Sequence, residues 1–124
     1  MRIALIAHDD MKDDLVEFAR RHADRLENAD LIATGTTGGR LNEETDLEVE
    51  RLESGPYGGD MMIGAEVAKD DCDAVFFLRD PLQAQPHEPD ITALLRICDV
   101  HDVPLATNLT SAHAILDSLA DGGD

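Results

Sequence analysis

Short aliphatic runs alternate with stretches of helical period from one end of this chain to the other, and that order limits its possible folds more than any other feature. "RIALIA" (Arg2 to Ala7) is an apolar run of strand length. From Asp10 the period turns helical, with Leu15, Phe18, Ala19, His22 and Leu26 on one side. "DLIATG" reads as a second strand that stops at Gly35, and "LEVERLES" as a weakly alternating third. "GDMMIGAEVAKD" is helical, with Ile63 and Val67 four apart, and "DAVFFLRD" is a buried strand halted at Asp80-Pro81. "PDITALLRICDVHD" carries proline in its first turn and turns Ile91, Leu94, Leu95 and Cys98 inward. "PLATNL" is the last strand, followed by a helix "TSAHAILDSLAD" capped by Thr110 or Ser111. The expectation is one α/β domain over 1–124. Its sheet is parallel, Rossmann-like or flavodoxin-like, with about five strands and helices on both faces.

Composition narrows the partners. Asp and Glu number 27 against 10 Lys and Arg, a formal net charge of -17. Such a field repels nucleic acid and anionic membranes, so neither is an expected partner. The carboxylates are spread along the chain rather than gathered in a tail, which suits a halophilic protein whose self-repulsion is screened by concentrated salt. No apolar run is long enough to cross a bilayer, and "MRIALIAHDD" turns acidic too soon for a secretory signal, so a cytoplasmic location is expected. Cys72 and Cys98 lack metal-ligand spacing and read as reduced, buried small residues.

In a parallel α/β sheet, ligands bind beyond the carboxyl ends of the strands. The segments expected there are "HDDMK", "TGTTGG", "SGPYGGD", "RDPLQAQPHEPD" and "TNLTS". In "TGTTGG", Thr34, Thr36 and Thr37 offer hydroxyls, and Gly35, Gly38 and Gly39 let backbone N–H groups come close to a phosphate. By itself the segment is better explained as an ordinary threonine-rich strand-to-helix turn, since it has no P-loop lysine and no dinucleotide fingerprint of spaced glycines. Lys12, one of only two lysines, sits one turn past the first strand; it is either a phosphate contact or a surface cation paired with Asp9 or Asp13. Asp60, after two glycine turns, is either a helix N-cap or a rigidly held general base. His87 and Asp90 lie among prolines in "PHEPD", where the histidine is either a surface residue or a proton carrier.

Taken together, "IALIAHDDMK", "IATGTTGG", "SGPYGGD", "FLRDPLQAQPHEPDITALLR" and "PLATNLTSA" resemble the methylglyoxal synthase family over nearly the whole chain and in the same order. The resemblance implies conversion of dihydroxyacetone phosphate into methylglyoxal and inorganic phosphate, with no metal or organic cofactor, by a homohexamer. It implies that Asp60 takes the carbon proton and His87 moves protons at the substrate oxygens. His8, Lys12, Thr34, Gly35, Thr36, Thr37, Ser54 and Gly55 would contact substrate and phosphate, with Asp9, Asp80 and Asp90 as supporting acidic positions. Longer members carry a basic C-terminal tail that reaches a neighbouring subunit. Here neither Lys nor Arg follows Arg96, so weak regulation by phosphate, as product or inhibitor, is expected. The alternative is a non-catalytic sensor domain for a phosphorylated metabolite, which would need the phosphate cradle but not Asp60 and His87 together.

Overall fold

The two most apolar runs become neighbouring strands in the interior of the sheet. In the computed structural model, which describes residues 1–121, β1 (Arg2–Ala7) pairs on one side with β2 (Asp30–Ala33) and on the other with β4 (Ala74–Leu78). β3 (Val49–Arg51) and β5 (Leu105–Ala106) close the edges, giving the order β3-β2-β1-β4-β5 with every pairing parallel. This is the Rossmann order rather than the flavodoxin order. Residues 122–124 lie outside the described residues, and with them the end of the tail segment discussed above.

Strand alternation sorts the aliphatic side chains onto two faces. Ile3, Leu5, Ala7, Phe76 and Leu78 join one core with α1 (Lys12–Arg21), α2 (Ala23–Leu26), α3 (Gly35–Glu44) and α6 (Leu109–Asp121). Ala4, Ile6, Val75 and Phe77 join the other with α4 (Gly59–Ala68) and α5 (Glu88–Val100). Each fully buried Phe or Leu side chain contributes about 1.5–3 kcal/mol, so the two cores hold the central strands firmly. The strand order reverses between β1 and β4, and a crevice opens at their carboxyl ends.

Several boundaries differ from the sequence expectation. β2 stops at Ala33, and Gly35 begins α3 instead of ending a strand. The helix expected from Asp10 is a 3-10 turn at Asp9–Met11, then α1 and α2 separated at His22, whose backbone leaves the helical region (φ -110, ψ 23). The outer strands are shorter than read because edge strands pair on one side only. The last helix starts at Leu109, and Asn108, not Thr110 or Ser111, caps it: its Oδ1 accepts the Ser111 N–H at 2.9 Å. Both cysteines are free and buried.

Candidate active site

The segment after β3 is built by glycine. Ser54 starts a 3-10 turn (Gly55–Tyr57), and Gly58 (φ +99) reverses the chain in the left-handed region before α4 begins. Gly59 lies directly against the Glu53 carbonyl, with no room for a Cβ. Asp60 therefore enters α4 in its first turn with its side chain directed into the protein. It makes no capping hydrogen bond; Gly58 occupies the cap position. The N-cap explanation for Asp60 is thus ruled out by geometry. Its carboxylate is 0% exposed, and neither oxygen has a hydrogen-bond partner. Burial pushes its pKa up, with Asp90 adding repulsion, while the His87 ring pulls in the opposite direction.

His87 sits immediately before α5, buried rather than on the surface, with Nε2 3.5 Å from Asp60 Oδ2. Gly55 fits between these groups and the solvent. A Cβ added there would lie 2.7 Å from His87 Nε2 and 3.3 Å from Asp60 Oδ1. His8, at the end of β1, packs edge-on to Phe77 with ring centroids 5.2 Å apart, and stands 6.4 Å from the His87 ring. The Asp80 backbone N–H donates to His8 Nδ1 at 2.9 Å, so the neutral ring carries its proton on Nε2. Burial first, then the neighbouring His87, Arg79 and Lys12, lower the His8 pKa and keep the ring neutral at neutral pH. Six buried side-chain polar atoms among the described residues have no partner, and four of them are His8 Nε2, both Asp60 oxygens and His87 Nδ1. Orphaned atoms of this kind are costly, and their concentration in three adjoining residues marks a place built for a ligand.

The second half of the site lies at the start of α3. Ala7, the last residue of β1, offers its carbonyl to Lys12 Nζ at 2.9 Å and to Thr37 Oγ1 at 3.4 Å. This shared acceptor holds a buried ammonium group beside the first turn of α3. Lys12 also pairs with the exposed Asp9 at 2.7 Å, while Asp13 pairs with Arg40 instead. Thr34 and Thr37 are buried and Thr36 is exposed. The Gly35 N–H is taken by the Glu53 carbonyl, but those of Thr36 and Thr37 have no intrahelical acceptor. The Ser54 hydroxyl lies beside Gly35, where an added Cβ would be 3.0 Å from Oγ, so the turn carrying Gly55 also touches the start of α3. A cation, first-turn N–H groups and hydroxyls together suit a phosphate.

Gly38 and Gly39 have a different task from the one expected. The Gly38 N–H bonds inside the helix to the Thr34 carbonyl. Both glycines face the Arg51 side chain, whose Nε donates to the Gly35 carbonyl at 2.9 Å. Arg51 was missed in the sequence because it sits on a short edge strand with no motif around it. Asp80 acts on His8 through its backbone, while its carboxylate accepts the Leu82 N–H. It also lies close to the Asp10 carboxylate, and this neighbouring negative charge raises the Asp10 pKa. Asp90 is half-buried and close enough to disfavour charge on Asp60, and Asp9 stays at the solvent edge.

The model of the MGS-like domain family matches residues 14–107. "Methylglyoxal synthase" from Cupriavidus metallidurans is 61% identical over 119 residues, 96% of this chain and 85% of that protein. The Bacillus subtilis protein of the same name is 55% identical over 122 residues, 98% of this chain and 89% of its own length. Among solved structures, methylglyoxal synthase from Elizabethkingia anophelis superposes with a TM-score of 0.87 at 46% identity, over 93% of this chain and 76% of that one.

Proposed function

The chain belongs to the methylglyoxal synthase family, and from that premise we propose that it converts dihydroxyacetone phosphate into methylglyoxal and inorganic phosphate, with the whole of 1–124 acting as one domain of that type. It is a lyase. The observation that carries the residue assignment is the set of unpartnered buried atoms on His8, Asp60 and His87 around Gly55. Asp60 is the base. Its carboxylate takes a proton from the hydroxymethyl carbon beside the ketone, and the C–H electron pair moves to the carbonyl, giving an enediolate. The raised pKa of Asp60 makes it a stronger base than a solvated carboxylate, and no hydrogen bond has to be broken before it accepts the proton.

The enediolate oxygens need donors that lose nothing to reorganisation. His8 supplies a neutral Nε2–H, fixed from behind by the Asp80 N–H. His87 exchanges protons with the oxygens, and Asp90 disfavours charge on Asp60 from outside. His87 moves the proton of the terminal hydroxyl to the oxygen at the former ketone carbon. The terminal oxygen then forms an aldehyde C=O, the C=C pair shifts to the neighbouring carbon, the C–O bond to phosphate breaks, and phosphate leaves with the electrons of that bond. The resulting enol becomes methylglyoxal by proton transfer. Lys12, the Thr36 and Thr37 N–H groups, the Thr34 and Ser54 hydroxyls and the Gly35 turn hold the phosphate. They fix the breaking bond perpendicular to the enediolate plane, where elimination is easiest. Asp9 holds Lys12 from the solvent side.

The reading extends to a cytoplasmic homohexamer working in concentrated salt. Support comes from the two free cysteines, the net charge of -17, and α4, which leaves Met61 and Met62 exposed although nearly all its residues are apolar. No helix among the described residues is long and apolar enough to cross a membrane. Purified protein in molar salt, given dihydroxyacetone phosphate, should release methylglyoxal and phosphate in equal amounts. Lowering the salt to millimolar lengthens the screening distance to about 30 Å or more, and both activity and the hexamer seen by light scattering should then be lost. Binding of the substrate without either product would favour the sensor reading instead.

A further inference from the structure

Across the sheet from Asp60 and His87, α1 and α6 enclose an open cleft of about 370 Å³ lined by Glu17, Phe18, His22, Leu109 and His113, among others. Nothing in the proposed reaction uses it. His22 stands at the corner between α1 and α2, half-buried against the Phe18 ring at 4.7 Å between centroids. His113 projects from α6 with Nδ1 3.3 Å from His22 Nε2. Its other nitrogen, Nε2, is 3.2 Å from Asp117 Oδ2, and Asp117 Oδ1 is held by Arg25. A proton on Nε2 donated to that carboxylate leaves the Nδ1 lone pair facing His22. The arrangement is that of a metal-ligating histidine oriented by a carboxylate on its far side.

The spacing also fits. Two imidazole nitrogens bound to one ion at about 2.0–2.1 Å stand about 3.3 Å apart at a tetrahedral angle. We propose that His22 and His113 form a bidentate chelate for a divalent late-transition-metal ion (Zn²⁺, Ni²⁺ or Cu²⁺) that ties α6 to the α1–α2 corner. Among the described residues no group of three or more His, Cys, Asp or Glu side chains encloses an ion, so water completes the coordination sphere. Imidazole selects these ions over Mg²⁺ and Ca²⁺, with Cu²⁺ held most tightly. The site is separate from the reaction, and its function is to stabilise the fold by binding the native state alone.

Calorimetric titration of the full chain with NiCl₂ and ZnCl₂ in molar NaCl at pH 7.5 tests this. The expected result is one ion per chain with micromolar affinity, a rise in Tm, and two-nitrogen coupling in the EPR spectrum of the Cu²⁺ form. His113→Gln and His22→Gln should each lose at least about tenfold in affinity, and Asp117→Asn, which keeps both rings, should lose roughly tenfold through its orienting role. His113 is more than half exposed, so its replacement leaves the fold intact. Absence of binding below millimolar metal overturns the proposal. So does equal affinity in the His113→Gln chain, which would place the ion elsewhere.

Discussion

Two clusters of histidine and aspartate lie on opposite faces of one sheet, and their chemistry differs because of water and partners. On the α1–α6 face, His22, His113, Asp117 and Arg25 form a chain of mutual contacts at the solvent boundary. There Arg25 first, then the histidines, lower the Asp117 pKa, as expected for a carboxylate in good company. On the α4–α5 face, Asp60 is the one buried carboxylate among the described residues, and its oxygens accept nothing. Its pKa moves the other way. In a chain with 27 acidic residues, the carboxylate proposed as the base is distinguished by what it lacks.

The sharpest test of this contrast is Asp60→Asn. Removing the base should lower turnover by about 10²–10⁴-fold. The stability change is equally diagnostic. With a raised folded pKa, the native state holds the Asp60 proton where the unfolded chain has released it. The buried charge therefore costs stability at neutral pH, and that cost fades as the pH falls through the raised value. Asparagine carries no charge, so Tm at neutral pH should rise, by some 4 °C for each kcal/mol or so recovered. A drop in Tm together with retained turnover would show that the aspartate is structural. The raised pKa also predicts an acidic limb of the rate profile above the range of solvated carboxylates, measurable from kcat/KM against pH.

A smaller effect is expected from Gly55→Ala, which pushes a methyl group toward the His87–Asp60 pair. His87 must move, since the approach of 2.7 Å is too close for a carbon. Turnover should fall by roughly 10–100-fold through misplacement of groups that remain present, with little change in the affinity for inorganic phosphate. Equal losses of both would mean that base and phosphate cradle cannot be separated as drawn. The smallest effect belongs to the opposite face. Asp117→Asn breaks an ion pair at the solvent boundary, so turnover should change less than about twofold, and stability by no more than the range typical of surface pairs. A large loss of activity there would couple the two faces and end the comparison.

Much of this was readable in the chain. β1 and β4 were found to within a residue or two because both are buried on both sides, leaving continuous aliphatic runs. The five expected loops do meet at one edge, because alternation of strand and helix leaves no other arrangement. The start of α3 was the hardest segment. Two threonines and three glycines in the first five positions are poor helix formers, and what keeps them helical is tertiary: Arg51 across Gly38 and Gly39, and the Ala7 carbonyl on Thr37. For Asp60 the sequence left two readings open, a cap or a rigidly held base. Asp after Gly-Gly at a helix start is the usual signature of a cap, and only the reversal at Gly58 shows that the side chain turns inward.

The hydrogen bond from the Asp80 backbone to His8 Nδ1 is indifferent to ionic strength. Every ionic contact around the site shifts with the medium, since added salt weakens it and acid or alkali rewrites it. A peptide N–H does neither. The choice of which imidazole nitrogen bears hydrogen is therefore inherited from the polypeptide itself, and it stays the same whether the surrounding fluid is dilute or nearly saturated.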